Sequence, residues 1–212
     1  CSVATECLLR EAWLVKPNVI ILTHGWSGSS VYSGLLARAG YSLGPETVQK
    51  VDYDTNENAG LVEWNRRLLS TFAPSLNHEH VFDVDRVLEL DRAAAKSDLT
   101  PLRKFVAQCS ESGPWLWKDP RLTWTIRIWA RVLDLDSTSF LVLTRDDLQA
   151  WATANIRRHV QSMRFTREYN QGITRANTWF LAQRGLRYVT LSFEDLVLAP
   201  ERTIDRLNEH FG

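Results

Sequence analysis

The sequence is poor in cysteine, carries no excess charge and has no long apolar run. Cys1, Cys7 and Cys109 are its three cysteines in 212 residues. They show no metal-ligand spacing and cannot build a disulfide framework, which predicts reduced thiols and a cytoplasmic protein. Lys and Arg number 25, and so do Asp and Glu, so no global field draws nucleic acid or an anionic membrane. Any anion site must be local. No apolar run approaches the roughly 20 residues of a membrane span. The N-terminus lacks the basic, apolar and small-residue blocks of a signal peptide. The chain opens on Cys1 and stops at "HFG", which reads as a fragment of a longer protein. No internal repeat and no low-complexity segment is visible. Oligomeric state is not legible.

What is present fits one globular domain over 1–212, with 44% apolar and 24% charged residues. Nine tryptophans are many, and some of Trp64, Trp115, Trp117, Trp124 and Trp151 are expected to line an acceptor groove. "NVIILT" (18–23), "WLWK" (115–118), "SFLVLT" (139–144) and "RYVTLS" (187–192) read as strands. Helical patterns fall at 29–39, 60–73, 101–110, 120–133, 147–159, 167–184 and 200–211, with Gly40 as a stop and Pro120 as a start. The polar stretch 74–98, weakly helical around Val84–Leu90, reads as an excursion near the active face. Strands alternating with helices predict an α/β fold, a mostly parallel sheet covered on both faces. Ligands of such sheets bind beyond the carboxyl ends of the strands. "THGWSGSS", "KDPR", "TRDD" and "SFED" should therefore face one crevice.

In "THGWSGSS" Gly25 and Gly28 let the backbone approach an anion, and Ser27, Ser29 and Ser30 supply hydroxyls. A helix opening near Ser29 adds N–H groups and the positive end of its dipole. Trp26 stands where a cation is usual, and no Gly-Lys-Ser/Thr follows, so a plain tight turn is the competing reading. Arg145, directly after a strand, suits a bidentate phosphate contact or a surface ion pair, and Thr153 follows two helical turns on. Lys118 can neutralise a transferring anion, and Asp119 can serve as general base or as helix cap. His24 lies at the turn itself. Glu194 suits an orienting group or a cap. His78 and His80 lack further ligands, so no metal is expected.

These segments together resemble the sulfotransferases that use 3′-phosphoadenosine-5′-phosphosulfate (PAPS). "THGWSGSSV" is similar to that family's "TxPKSGTTW" loop, and "SGSSVYSGLLARAGYSLG" to its bacterial variant. "NENAGLVEWNRRLL", "WLWKDPRLTWTIRIW", "FLVLTRDDLQAWATA" and "YVTLSFEDLVLAPERTIDRLNEHFG" resemble later family segments in order, from about residue 18 to the end. The resemblance implies a P-loop-type fold and metal-free sulfuryl transfer to a hydroxyl or amine of a small-molecule or carbohydrate acceptor. It implies that residues 25–30 hold the 5′-phosphosulfate, that Arg145 and Thr153 hold the 3′-phosphate, and that Lys118 and Asp119 flank the sulfuryl group. Trp26 replaces the family's loop cation, and the "KTH" histidine has no counterpart in "KDP". The base is then Asp119, His24, His78 or His80. A weakened PAP-binding homologue and a small-molecule kinase are the rival functions.

Overall fold

A computed structural model describes residues 16–157 and 159–211, so Cys1 and Cys7 lie outside the described residues. Four strands form one parallel sheet: β1 (Asn18–Thr23), β4 (Leu116–Lys118), β5 (Thr138–Thr144) and β6 (Tyr188–Ser192), in the order β4-β1-β5-β6. Ile20 pairs with Trp117 on one side and Phe140 on the other, and Val142 pairs with Thr190. β1 is apolar throughout because both its faces are covered. Ile20 and Leu22 enter one core, whereas Val19 and Ile21 enter the other. This α/β arrangement, a parallel sheet flanked by helices, is the one expected of a P-loop-like sulfotransferase fold.

Helix α1 (Ser29–Arg38) and α9 (Pro200–Phe211) cover one face through Tyr32, Leu36, Ile204 and Leu207. The other face carries α2 (Ala59–Phe72), α3 (Val84–Ala93), α4 (Thr100–Ser110), α5 (Leu122–Trp129) and the C-terminal half of α7 (Met163–Gln183). Between β5 and α7 runs α6 (Asp147–Ile156), and α8 (Phe193–Leu198) follows β6. Gly40 takes φ 98° after α1, the left-handed stop its position suggested.

Four departures from the sequence reading have plain causes. Residues 47–58 form an antiparallel hairpin, β2 (Thr47–Gln49) and β3 (Asp54–Asn58), whose "DTNEN" is too polar to read as a strand. Helix α5 begins at Leu122, two residues beyond Pro120, because the Asp119 carboxylate accepts from the Arg121 N–H and holds a turn there. Stretch 74–98 is not wholly an excursion: α3 buries Val87 and Leu90 in the larger core. Trp115, Trp117 and Trp124 are packed in that core too, with rings of Trp115 and Trp117 4.5 Å apart, so they line no groove. Trp64 and Trp151 are half-buried.

Candidate active site

The parallel sheet brings its carboxyl ends to one edge, and the turn after β1 is built there. Gly28 has φ 80° and Trp26 φ 63°, so the chain crosses the left-handed region twice in three residues. That costs a non-glycine residue on the order of 1–2 kcal/mol, and Arg145 compensates by donating from Nη1 to the Trp26 carbonyl at 3.1 Å. The Trp26 ring meets His159 edge-on at 5.0 Å. Gly28 caps α1 without a side-chain hydrogen bond, and the first turn of α1 holds no acidic residue. No side chain of the helix itself therefore neutralises its positive end.

The serines divide. Ser27 is fully buried, and its Oγ accepts from Thr23 Oγ1 at 2.5 Å, so it ties the turn to β1 and does not face an anion. Ser29 is buried in the first turn, while Ser30 is partly exposed with Oγ 3.4 Å from Lys118 Nζ. An added side chain at Gly25 meets nothing within 4 Å, so the turn is open there. At Gly28 the same atom would fall 2.1 Å from the Phe193 ring, so this glycine is required by packing against α8.

Lys118 ends β4 and is 2% exposed. Its ammonium is 2.8 Å from Glu57 Oε1, a residue of the hairpin that sequence reasoning missed although it lies inside the quoted "NENAG". Burial pushes the Lys118 pKa down, and Glu57 opposes that shift. Asn56, at φ 55°, donates from Nδ2 to the Ser30 carbonyl at 2.9 Å, so the hairpin also braces the start of α1.

Asp119 is fully buried and hydrogen-bonded through both oxygens. Oδ2 accepts from Asn65 Nδ2 at 2.8 Å, and Oδ1 accepts from the Arg121 N–H at 3.0 Å and from Arg121 Nη1 at 2.9 Å. Asn65 Oδ1 in turn accepts from Thr125 Oγ1 and Trp129 Nε1, both at 2.8 Å. With both oxygens engaged and no exposed surface, this carboxylate is not presented to a substrate proton. The geometry favours a positioning role for Asp119 over the base expected from the sequence. Asn65, at the centre of the network, carries no sequence signal beyond its place in a helical pattern.

His24 is 1% exposed, and its Nδ1 lies 2.7 Å from the Gly25 carbonyl. A carbonyl only accepts, so Nδ1 carries the proton and Nε2 is the basic nitrogen. Burial pushes the His24 pKa below its ordinary value, so the ring is neutral at pH 7. His24 and Arg145 share a cavity of about 370 Å³ with Asp146, Asp147 and residues of α7. Arg145 also lies 4.6 Å from the Phe193 ring, and its Nε is buried without a partner. Glu194 Oε1 accepts from the Asp146 N–H at 3.2 Å, tying the loops after β5 and β6. Thr153 is half-buried, but its hydroxyl donates to the Gln149 carbonyl of its own helix at 2.8 Å. His78 is half-buried and His80 exposed; neither lines the cavity. Among the described residues no group of three or more His, Cys, Asp or Glu could hold a metal ion. Cys109 is half-buried, and burial pushes its thiol up to about 11, away from reactivity. Among the described residues no helix is long and apolar enough to cross a membrane.

A sulfotransferase family model matches residues 17–212. The chain belongs to the sulfotransferase family. No curated protein and no solved structure matches it. In this sulfotransferase the turn at 24–30, Lys118 and Arg145 lie along the carboxyl edge of the sheet, and membership supports sulfuryl transfer as its class of activity. Trp26 stands where the resembling loop carries a cation, and Lys118, held by Glu57, lies 3.4 Å from Ser30 Oγ.

Proposed function

We propose that the chain moves a sulfuryl group from PAPS to a hydroxyl or amine of a small-molecule or carbohydrate acceptor. The meeting of the open turn at 25–30, Lys118 and Arg145 at one sheet edge carries this reading. The residues fit such a donor. The turn is open at Gly25, the positive end of α1 has no internal counter-charge, and Arg145 Nε is a buried donor without a partner. The donor, when bound, supplies the activated sulfuryl group.

Backbone N–H groups of Gly28–Ser30 and the Ser29 and Ser30 hydroxyls hold the 5′-phosphosulfate. Lys118 stabilises charge on the bridging oxygen, and Glu57 keeps it protonated despite burial. Arg145 binds the 3′-phosphate, joined by Thr153 once that hydroxyl leaves Gln149. His24 Nε2 takes the acceptor proton, and Asp119 positions Arg121 and α5. Trp26 favours a second reading, a PAP-binding homologue of reduced turnover, because it removes the loop cation.

Calorimetric titration of PAP, adenosine 5′-phosphosulfate and ATP with Mg²⁺ into wild type, Arg145→Ala and Arg145→Lys tests the proposal. Losing a charge-assisted pair costs about 1.5–3 kcal/mol, so PAP should weaken roughly 10–100-fold in Arg145→Ala, with partial recovery in Arg145→Lys. Adenosine 5′-phosphosulfate lacks the 3′-phosphate and should bind the three proteins alike. A wild type that prefers ATP with Mg²⁺ would replace the proposal with the kinase reading. PAP binding without transfer would favour the weakened homologue.

A further inference from the structure

Trp26 keeps a costly backbone for a residue whose ring has no task in the donor reading. Among the described residues two non-glycine residues have positive φ, Trp26 at 63° and Asn56 at 55°. Asparagine tolerates the left-handed region, whereas a bulky aromatic residue there is an outlier. Glycine would take the same turn without strain. Strain of this kind persists only where the surroundings hold it, and it gathers at functional sites.

What the turn gains is an aimed carbonyl. Arg145 Nη1 donates to the Trp26 carbonyl at 3.1 Å. The same guanidinium lies 4.6 Å from the centre of the Phe193 ring, and that ring packs on Gly28. Arg145 is therefore held at one edge by Trp26 and over one face by Phe193. With Nη1 engaged, the edge that carries Nε is the one presented to a ligand, and Nε is buried without a partner. A side-on edge of this kind suits a bidentate contact with an oxyanion. The ring holds the strained residue in place. It is half-buried and meets His159 edge-on at 5.0 Å, and the His159 N–H donates to the Ala154 carbonyl at 2.9 Å, which ties the histidine to α6. An edge-to-face aromatic contact is of the same order as the cost of one left-handed residue. A lysine at this position would carry the same backbone cost without that seat.

Resting on the donor reading above, we infer that Trp26 is a positioning residue for the donor's 3′-phosphate: its ring, seated on His159, fixes the carbonyl that aims the Nε edge of Arg145. Trp26 acts through Arg145 and does not stand in for the loop cation. The anion turn and the 3′-phosphate arginine are then one unit, and the side chain at 26 sets how strongly a 3′-phosphate is recognised.

The test is calorimetric titration of PAP and of adenosine 5′-monophosphate, which lacks the 3′-phosphate; the ratio of the two affinities measures the preference. The proteins are wild type, Trp26→Phe, Trp26→Lys, His159→Ala, Arg145→Ala and Trp26→Lys combined with Arg145→Ala. Wild type should prefer PAP roughly 10–100-fold. Trp26→Lys should cut that preference about tenfold, Trp26→Phe should keep it within about threefold, and His159→Ala should fall between. In the Arg145→Ala background, adding Trp26→Lys should leave the ratio where Arg145→Ala alone puts it. If the loop simply lacks a cation, Trp26→Lys tightens both nucleotides and keeps the wild-type ratio, which overturns the inference. Additive losses in the double variant overturn it too, because Trp26 would then act without Arg145. An unchanged ratio in His159→Ala removes the seat and refutes the positioning role even where Trp26→Lys proves unstable. A wild type that binds the two nucleotides equally sinks the donor reading and this role with it, whereas a wild-type preference that survives in Trp26→Lys sinks the role alone.

Discussion

Replacing Glu57 by Gln tests the electrostatic frame of the site. Lys118 is 2% exposed, and the Glu57 carboxylate is its partner at 2.8 Å. Removing one member of a buried ion pair leaves an uncompensated charge, at a cost of about 3–5 kcal/mol. Asp119 and Asp54 also favour the charged form of Lys118, so the lower end applies. For a chain of this size, about 3 kcal/mol lowers Tm by roughly 6–12 °C. A bound anion near Ser30 would restore the missing charge, so PAP should raise the Tm of Glu57→Gln more than that of wild type. Lys118→Met alone should be similarly destabilised, whereas Glu57→Leu with Lys118→Met should lose much less than the two single losses added, because an apolar pair replaces a buried ionic one. The assay is thermal unfolding followed by circular dichroism for the four proteins, each with and without PAP. Additive losses, or a Glu57→Gln cost below about 1 kcal/mol, would show that solvent already screens the pair. An equal PAP shift in wild type and Glu57→Gln would place the anion away from Lys118.

Asn65→Asp sets a second carboxylate against Asp119 in a fully buried site, so urea unfolding should show severe destabilisation at pH 8 that eases toward pH 4. Gly28→Ala combines φ 80° with a clash on the Phe193 ring; Phe193→Ala should relieve the clash but leave about 1 kcal/mol of backbone strain, read as a double-mutant cycle in urea. The folded pKa of His24 lies below its unfolded value of about 6.5. The unfolded state thus binds more protons between the two values, and stability falls as pH drops through that window. His24→Gln should flatten this acid-side loss in pH-dependent unfolding and abolish transfer without abolishing PAP binding. An unchanged pH slope would mean that His24 titrates alike in both states.

The periodic signals in the sequence determined much of the fold. "NVIILT" and "SFLVLT" are apolar on both sides, which only a covered parallel strand satisfies, and strand–helix alternation then implied the sheet and its carboxyl edge. That edge gathered Gly25–Ser30, Lys118 and Arg145 before any distance was known. Tertiary structure decided what each of these side chains does. Glu57 and Asn56 sit on a polar hairpin with no strand propensity, so their approach to Lys118 and Ser30 comes from pairing with Thr47–Gln49. Ser27 reads like Ser30 in sequence, yet one hydroxyl turns inward to Thr23 and the other toward Lys118. Asp119 is held in place because Asn65, 54 positions away, donates to its second oxygen. Asn170 lies in an ordinary amphipathic helix, and only the packing of α7 on α6 gives it a buried, unpaired amide beside Arg145. Local pattern fixes elements because backbone and burial periodicity are local; partners of buried polar groups are long-range choices that the chain makes only on folding.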